Sequence, residues 1–515
     1  MSWDGFKRRL AFLLLVRMLF EAFSNAAPDI EDSVRPRSAM PEFSQVQLNH
    51  YLTLLTKLLE GLSGDLVNDR LSLDRLLRDV CRGGERGGDD SVAKLFRGIK
   101  KSSLHSAYLN LVKEGRISFR QQLLTVLTSK IVKSYSGIVS ITVMTSPGKF
   151  SCPQDCHYCP NDPESTRSYD RDGPVARRAA ALEFDVVRQF RERAVALATM
   201  GHEITKVEVL VIGGTWSYHP IEYQQAFMTG IYYAANTFQS GQHTRVDGVR
   251  PMLSLAEERE INETAVCRII GLTIETRPDH ISFAELERLL QYGVTRVQLG
   301  IQHLNDRILE TVNRKCRTAI TVKAIRLLKQ NCFKIDGHFM PDLPGSSYSQ
   351  DREMFEYLFS PENEDFQVDQ MKVYPTMITR FTKILEWYRS GQYRPYAEED
   401  NGQKLFDLIV YITTNVPRWI RLNRVVRDIP STVIEGEFKE TNLYQRILKH
   451  LEVTGLEGQD IRWREIKLED LDTSMGTLYR AEYRSSEGTE HFISWETTDG
   501  KRLFGFREWS RIHSS

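Results

Sequence analysis

From about Ile138 onward, short apolar and β-branched runs recur between longer amphipathic ones. IVSITVM, VEVLVIGG, IIGLTIET, TRVQLGI, FKIDGHFM and FQVDQMKVY are what strands of a parallel sheet look like when both faces are buried. ALEFDVVRQFRERAVALATM and AELERLLQY, lying between them, carry apolar residues at three- and four-residue spacing, which predicts helices. Strands alternating with helices imply βα units and a parallel sheet or barrel. Six units fall short of the eight that close a full barrel. The expected fold class is therefore α/β, an open, partial (β/α)6 barrel.

The flanks read differently. FSQVQLNHYLTLLTKLLEGL, upstream, has helical spacing, and the glycine-rich CRGGERGGDDS (Cys81 to Ser91) reads as a linker or surface loop. After about Ser431 the segments TLYRAEYR, EHFISWET and RLFGFRE alternate apolar with polar residues across SSEG and TDGK turns. They predict a small antiparallel sheet. Four segments follow: 1–28, 29–136 (helical), 137–430 (barrel) and 431–515. At the start, Lys7, Arg8 and Arg9 precede Leu10 to Val16, and Arg17 then interrupts. A targeting segment and an amphipathic helix packed on the body both fit, but a spanning helix needs ~20 apolar residues. No transmembrane association is expected, and the expected compartment is cytoplasmic.

Composition removes several classes. With 41% hydrophobic and 26% charged residues, wholesale disorder is excluded. Sixty-eight basic residues against sixty-eight acidic ones exclude a uniformly basic coat, so any nucleic-acid surface must come from uneven placement. Seven cysteines are too few and odd in number for a disulfide framework, which points to a reducing compartment.

Three of the seven crowd together: SCPQDCHYCP places Cys152, Cys156 and Cys159 at CxxxCxxC spacing. A structural zinc site is closed by four protein ligands, with His157 the nearest candidate for a fourth. A four-iron cluster on three cysteines instead leaves one iron free. That iron can bind the amino and carboxylate groups of S-adenosylmethionine and pass the electron that breaks its sulfur–carbon bond, giving a 5′-deoxyadenosyl radical. The cysteines follow the first expected strand, where loops at strand carboxyl ends line an active site. Other polar positions share that register: Gly213-Gly214-Thr215 after VEVLVI, Glu275 ending GLTIET before Arg277-Pro278-Asp279, Gln302 after TRVQLGI, His338, Asp342 and Gly345 in GHFMPDLPG, and Lys372 and Tyr374 in MKVYPT. Polar residues at the carboxyl ends of successive strands point to a cofactor pocket.

With these motifs in view the chain resembles the family of Elongator catalytic subunits, radical S-adenosylmethionine enzymes of the tRNA wobble uridine. The resemblance runs from KSYSGIVSITVM through CPQDCHYCP, GHEITKVEVLVIGGT, GLTIETRPDH, LGIQHLND, MPDLPG and MKVYPT to RVVRDIP, most of residues 130 to 430. It implies a 4Fe-4S cluster, S-adenosylmethionine, and acetyl-CoA as donor of a two-carbon unit that reaches C5 of the uridine as a carboxymethyl-type group. It implies that Lys206 in TKVEVL contacts acetyl-CoA, that an electron donor serves the cluster, and that other Elongator subunits, or a second copy, are partners. Two departures stand out. The family commonly spaces its first two cysteines more widely. IRWREIK and HFISWETTDGKRLFGFREW resemble only the opening strands of the family's acetyltransferase domain, so the chain is expected to lack most of the CoA site and its glycine-rich loop, which puts the use of acetyl-CoA in question.

Between residues 94 and 133 nine cations stand against one acid, Glu114. Lys100, Lys101, Arg116, Arg120, Lys130 and Lys133 are the candidate phosphate contacts there, at the family's tRNA-binding region. A solvated helical face is the plain alternative. Aromatic residues are sparse in the stretch, which favours backbone contact over base stacking. Arg421, Arg424 and Arg427 suggest a second cationic row. The leading expectation is an enzyme in which Gly213, Gly214, Thr215, Glu275 and Gln302 frame S-adenosylmethionine and Lys372 and Tyr374 face the reacting centre. The alternatives are a tRNA-binding scaffold without transfer activity, and a radical enzyme acting on another RNA or on a small molecule.

Overall fold

The computed structural model describes residues 51–52, 55–56, 101–120, 123–124, 127–128, 136–148, 152–238, 250–427, 429, 431–440, 442–466 and 471–512. The expectations for residues 1–28 and for the glycine-rich linker lie outside the described residues, as do those for the helices of about 29–81 apart from residues 51–52 and 55–56. The chain divides into two compact units: Met1–Ser129 with Ala198–Gly201 and Gln239–His243, and the remainder from Lys130 to Ser515. In the first, the helix Lys101–Lys113 buries Leu104, Ala107, Tyr108 and Leu111, the i, i+3, i+4, i+7 stripe of a helix with one packed face. The Arg120 backbone N–H donates to the Tyr108 hydroxyl at 2.5 Å, fastening the segment after the helix back onto it.

The second unit is built on β1 (Val139–Met144), β2 (Lys206–Ile212), β3 (Arg268–Thr276), β4 (Arg296–Gln302), β5 (Lys334–Phe339), β6 (Gln370–Val373) and β7 (Arg421–Arg424). They form one sheet in chain order, every neighbouring pair parallel, as expected of a partial βα barrel. The seventh strand adds to the six expected. RLNR is short, with one apolar residue, so hydrophobic pattern does not mark it. A register shift after Leu422 pairs Arg421 with Gln370 and Arg424 with Lys372, two positions apart on β6 and so on one face of the sheet. Arg421 pairs with Glu465 at 3.1 Å.

Along each strand one alternate set is apolar and buried: Ile141 and Val143, Val207, Val209 and Val211, Leu272 and Ile274, Val297, Leu299 and Ile301. Buried helix residues such as Phe190, Ile231, Leu289, Ile325 and Phe355 complete that layer. The other set carries the polar side chains, among them Glu275, Gln298, Asp336, His338 and Lys372, and defines the inner face. Helix ends are fixed locally. Ser254 and Glu257 form a reciprocal capping box, Ser282 accepts from the Glu285 N–H, and Gly293 closes that helix at φ 75°. The long run expected from 181 to 200 is shorter at its start: Glu183 and Phe184 have positive φ, so the helix begins at Val186.

β8 (Thr477–Ser485), β9 (Gly488–Glu496) and β10 (Leu503–Ile512) form the expected antiparallel sheet, in the order β10-β9-β8. Ser486 and Glu487 both have positive φ, the two-residue turn whose twist suits a hairpin. IRWREIK, expected to open as a strand, instead begins with a helical turn, Ile461–Arg464, capped by Asp460 accepting from the Arg462 and Trp463 N–H groups. Buried Arg464 donates to Glu496 at 2.6 Å and to the Arg418 carbonyl at 2.7 Å. Trp419 stacks on Tyr483 at 4.4 Å, tying this sheet to the segment leading into β7.

Candidate active site

The loop after β1 carries the three cysteines. The Cys159 N–H donates to the Cys156 carbonyl at 2.9 Å, a tight turn that brings both residues round the same bend. Every sulfur faces a donor. The Thr215 hydroxyl donates to Cys152 Sγ at 3.3 Å. The guanidiniums of Arg277 and Arg314 lie 3.6 and 3.9 Å from Cys156 Sγ. Arg167 bonds Cys159 and acts to lower its pKa, although burial dominates and pushes that thiol up to about 11. Each of the three buried or half-buried sulfurs thus has a guanidinium or hydroxyl donor beside it, the surroundings that metal-bound sulfur would need. Among the described residues no three His, Cys, Asp or Glu side chains are arranged to hold one metal ion; a cuboidal iron–sulfur cluster asks for thiolates on separate irons. His157 turns Nδ1 to the Thr311 carbonyl at 3.2 Å and packs edge-on against Trp387 at 4.8 Å. The donor set therefore fits an iron–sulfur cluster.

The glycine turn after β2 is bound into the same loop. Gly213 sits at φ 118° and Gly214 at 64°, a conformation other residues rarely adopt. A Cβ on Gly213 would meet Thr145 and stand 2.8 Å from the Thr166 methyl. The Thr145 hydroxyl donates to the Gly213 carbonyl at 3.0 Å, and the Gly214 N–H to the Arg167 carbonyl at 3.1 Å. At the end of β4, Gln302 is held at φ 75°, and its buried Oε1 has no hydrogen-bond partner among the described residues. Such strain and such an orphaned acceptor are features of ligand sites.

Deeper, the inner face of the sheet is polar in layers. Lys372 on β6 donates to Gln298 Oε1 at 2.6 Å and stands 3.3 Å from Asp336 Oδ2. Asn423 donates to the same carboxylate at 3.1 Å. Burial acts to lower the Lys372 pKa, but Asp336, Tyr374 and Glu275 more than offset it, and the net shift is upward. One layer toward the strand carboxyl ends, the Tyr169 hydroxyl donates to Glu275 at 3.0 Å. His338 Nδ1 lies 3.8 Å from that carboxylate, and its ring meets Tyr374 edge-on at 5.6 Å. Burial, then Lys372 and Arg427, drive the His338 pKa well below its ordinary value, so the imidazole is neutral and its buried Nε2 is unpartnered among the described residues.

The structure thus brings Cys152, Cys156, Cys159, Gly213, Gly214, Thr215, Glu275, Gln302, Lys372 and Tyr374 to one end and one face of one sheet. Lys206 is not among them: it opens β2, exposed, at the end of the strand opposite Gly213. Arg427 lies over the Tyr169 ring at 5.2 Å and donates to the Ser168 carbonyl, so it belongs to the barrel site. In the helical region, Arg116 pairs with Glu114 at 3.3 Å and Arg120 is exposed. Lys101 begins a helix, and Lys100, Lys130 and Lys133 lie outside the described residues. Sequence reasoning missed Arg167, Tyr169, Gln298, Arg314 and Asp336; Gln298 and Asp336, two residues before Gly300 and His338 on their strands, were findable by strand period alone.

The radical SAM superfamily profile matches residues 150–358 and the radical SAM C-terminal domain residues 368–452. The tRNA uridine(34) acetyltransferase of Methanocaldococcus infernus is 35% identical over 414 residues, 78% of this chain and 74% of that protein. The human Elongator complex protein 3 is 32% identical over 453 residues, 84% of this chain and 79% of that one. The solved structure of the Methanocaldococcus infernus Elp3 with an N-terminal deletion (1-46) superposes with a TM-score of 0.61 at 33% identity, covering 73% of this chain and 79% of that one. Cysteine loop, parallel half-barrel and relatives agree: the chain belongs to the radical SAM family of Elongator complex protein 3 and the tRNA uridine(34) acetyltransferases.

Proposed function

We propose that the chain is a radical S-adenosylmethionine enzyme that modifies uridine 34, the wobble uridine of tRNA, and that the product carries a carboxymethyl-type group at C5 drawn from acetyl-CoA. The observation that carries this reading is the donor set on the three sulfurs, Thr215 on Cys152, Arg277 and Arg314 on Cys156 and Arg167 on Cys159. The names of the relatives support the substrate: tRNA uridine(34) acetyltransferase and Elongator complex protein 3.

Cys152, Cys156 and Cys159 would hold a 4Fe-4S cluster, and Gly213, Gly214, Thr215, Glu275 and Gln302 would frame S-adenosylmethionine. Together these groups supply, when bound, a one-electron cleavage of the sulfonium that yields a carbon radical. The protein's part is placement. The Gly213–Gly214 turn lets backbone approach a ligand where a side chain would intrude. Lys372, fixed by Asp336 and Gln298, presents a cation that cannot swing away. Neutral His338 can donate or accept one hydrogen bond without adding charge. Arg116 and Arg120, with Lys100, Lys101, Lys130 and Lys133, are the proposed phosphate contacts, and Lys206 the proposed acetyl-CoA contact. An electron donor and further subunits are the partners this reading implies.

The test is anaerobic reconstitution with iron and sulfide, then incubation with S-adenosylmethionine, dithionite, acetyl-CoA and tRNA. Wild type is expected to form 5′-deoxyadenosine and to change uridine 34 by nucleoside mass spectrometry, and Cys156→Ser to do neither. An iron-loaded wild type that never yields 5′-deoxyadenosine sinks the radical assignment. If it yields 5′-deoxyadenosine while uridine 34 stays unchanged, the substrate is wrong.

A further inference from the structure

Arg314 is a buried cation without a carboxylate in ion-pair contact. The residue is 4% exposed, and among the described residues no Asp or Glu forms an ion pair with it. Asp279, the acid next along, is gripped by both arms of Arg277, at 2.9 and 2.8 Å. Arg314 Nη2 donates to the Gly300 carbonyl, Nε is buried with no hydrogen-bond partner among the described residues, and Nη1 points at Cys156 Sγ from 3.9 Å. Room for the guanidinium depends on Gly300, where a Cβ would stand 3.1 Å from Nη2.

A buried charge lacking a counter-charge is strongly unfavourable, and proteins keep one only where an anion arrives to meet it. Of the two guanidiniums on Cys156, Arg277 is already neutralised by Asp279. Asp279 reaches Arg314 only at longer range, so of the two guanidiniums Arg314 is the one with no ion pair of its own. We infer that Arg314 is a positioning residue for the iron–sulfur cluster, its fixed positive charge answering the cluster's negative one and favouring the reduced, more negative state. Hydrogen bonds to the sulfurs and net local charge are what set the potentials of such clusters, and burial keeps salt from screening this one. The inference rests on the reading of the cysteine trio as cluster ligands.

Two variants test it in the full-length chain: Arg314→Lys keeps the charge, and Arg314→Met removes it with little change of bulk. Each is reconstituted anaerobically, assayed for iron and sulfide, and titrated with dithionite and redox mediators under electron paramagnetic resonance, without S-adenosylmethionine or tRNA. Arg314→Met is expected to shift the reduction equilibrium at least tenfold toward the oxidised state, about 59 mV for a one-electron couple. Arg314→Lys should stay within about threefold of wild type. In thermal unfolding of the iron-free protein, Arg314→Met should be at least as stable as wild type, and in the loaded protein less stable, which a mere packing role does not produce. A loaded Arg314→Met with the wild-type equilibrium overturns the inference. So does equal destabilisation with and without iron, and if Arg314→Met takes up no cluster the iron-free comparison decides alone. A wild type that binds no iron and sulfide overturns the cluster reading, and this inference with it.

Discussion

Replacing Lys372 with methionine separates what this lysine does for the fold from what it does for the reaction. Its Nζ lies 3.3 Å from Asp336 Oδ2, with side chains 14% and 1% exposed. Unit charges at that distance attract by about 5 kcal/mol at an effective dielectric of ~20, and most of this offsets desolvation. Lys372→Met leaves Asp336 a buried anion with Asn423 as its remaining side-chain donor, so the single variant should lose about 3–5 kcal/mol. In Lys372→Met/Asp336→Asn both charges are gone, and the loss should shrink to about 1 kcal/mol, so removing the second charge should restore about 2–4 kcal/mol to Lys372→Met. Urea unfolding followed by far-ultraviolet circular dichroism measures the cycle, and 5′-deoxyadenosine formation is read on the same samples. If the two single effects add to within about 0.5 kcal/mol, the pair is not a buried ion pair. If the stable double variant regains activity, Lys372 only supports the barrel and does not face the reacting centre.

Three further outcomes are expected. Gly213→Ala forces a side chain into left-handed backbone against Thr145 and Thr166, and should cost about 2–4 kcal/mol in urea unfolding; a loss below about 0.5 kcal/mol would show that the turn does not need glycine. Burial raises the Asp342 pKa to about 8, with the Tyr396 and Ala397 N–H groups opposing. A carboxyl raised in the folded state stabilises at low pH, and that contribution fades as pH climbs from about 4 toward 8. Asp342→Asn should therefore flatten this decline in a melting-temperature series, and an unchanged slope would refute the assignment. Arg116→Ala and Arg120→Ala should each lower the salt dependence of tRNA binding by about one unit of log–log slope if they meet phosphates; filter binding across salt concentrations reads it directly.

The strands rich in valine and isoleucine were legible because short β-branched runs recur between segments of helical spacing, although in the fold only one alternate set of each strand is the apolar one. β7 was not, because a four-residue edge strand reading RLNR carries no such signal. IRWREIK was expected to open as a strand from its resemblance to the acetyltransferase domain, whereas Asp460 caps a helical turn there. In the site, residues at strand carboxyl ends were found from register alone. Arg167, Tyr169 and Arg314 were not, since nothing local distinguishes a buried arginine or tyrosine from an exposed one. Tyr169 and Arg314 take their roles from Glu275 and Cys156, more than a hundred positions away, and Arg167 meets Cys159 through the fold of the cysteine loop.

The seven parallel strands lie side by side in the order in which they are made. Each emerging strand–helix unit therefore finds its docking edge already finished, with no later segment that must thread between earlier ones. Growth by addition keeps loop closures short, and on the ribosome it lets the half-barrel extend from the cysteine-bearing end first. The cysteine loop would then be synthesised early and fastened late, once Val312, Phe381 and Ile384 arrive to bond its backbone.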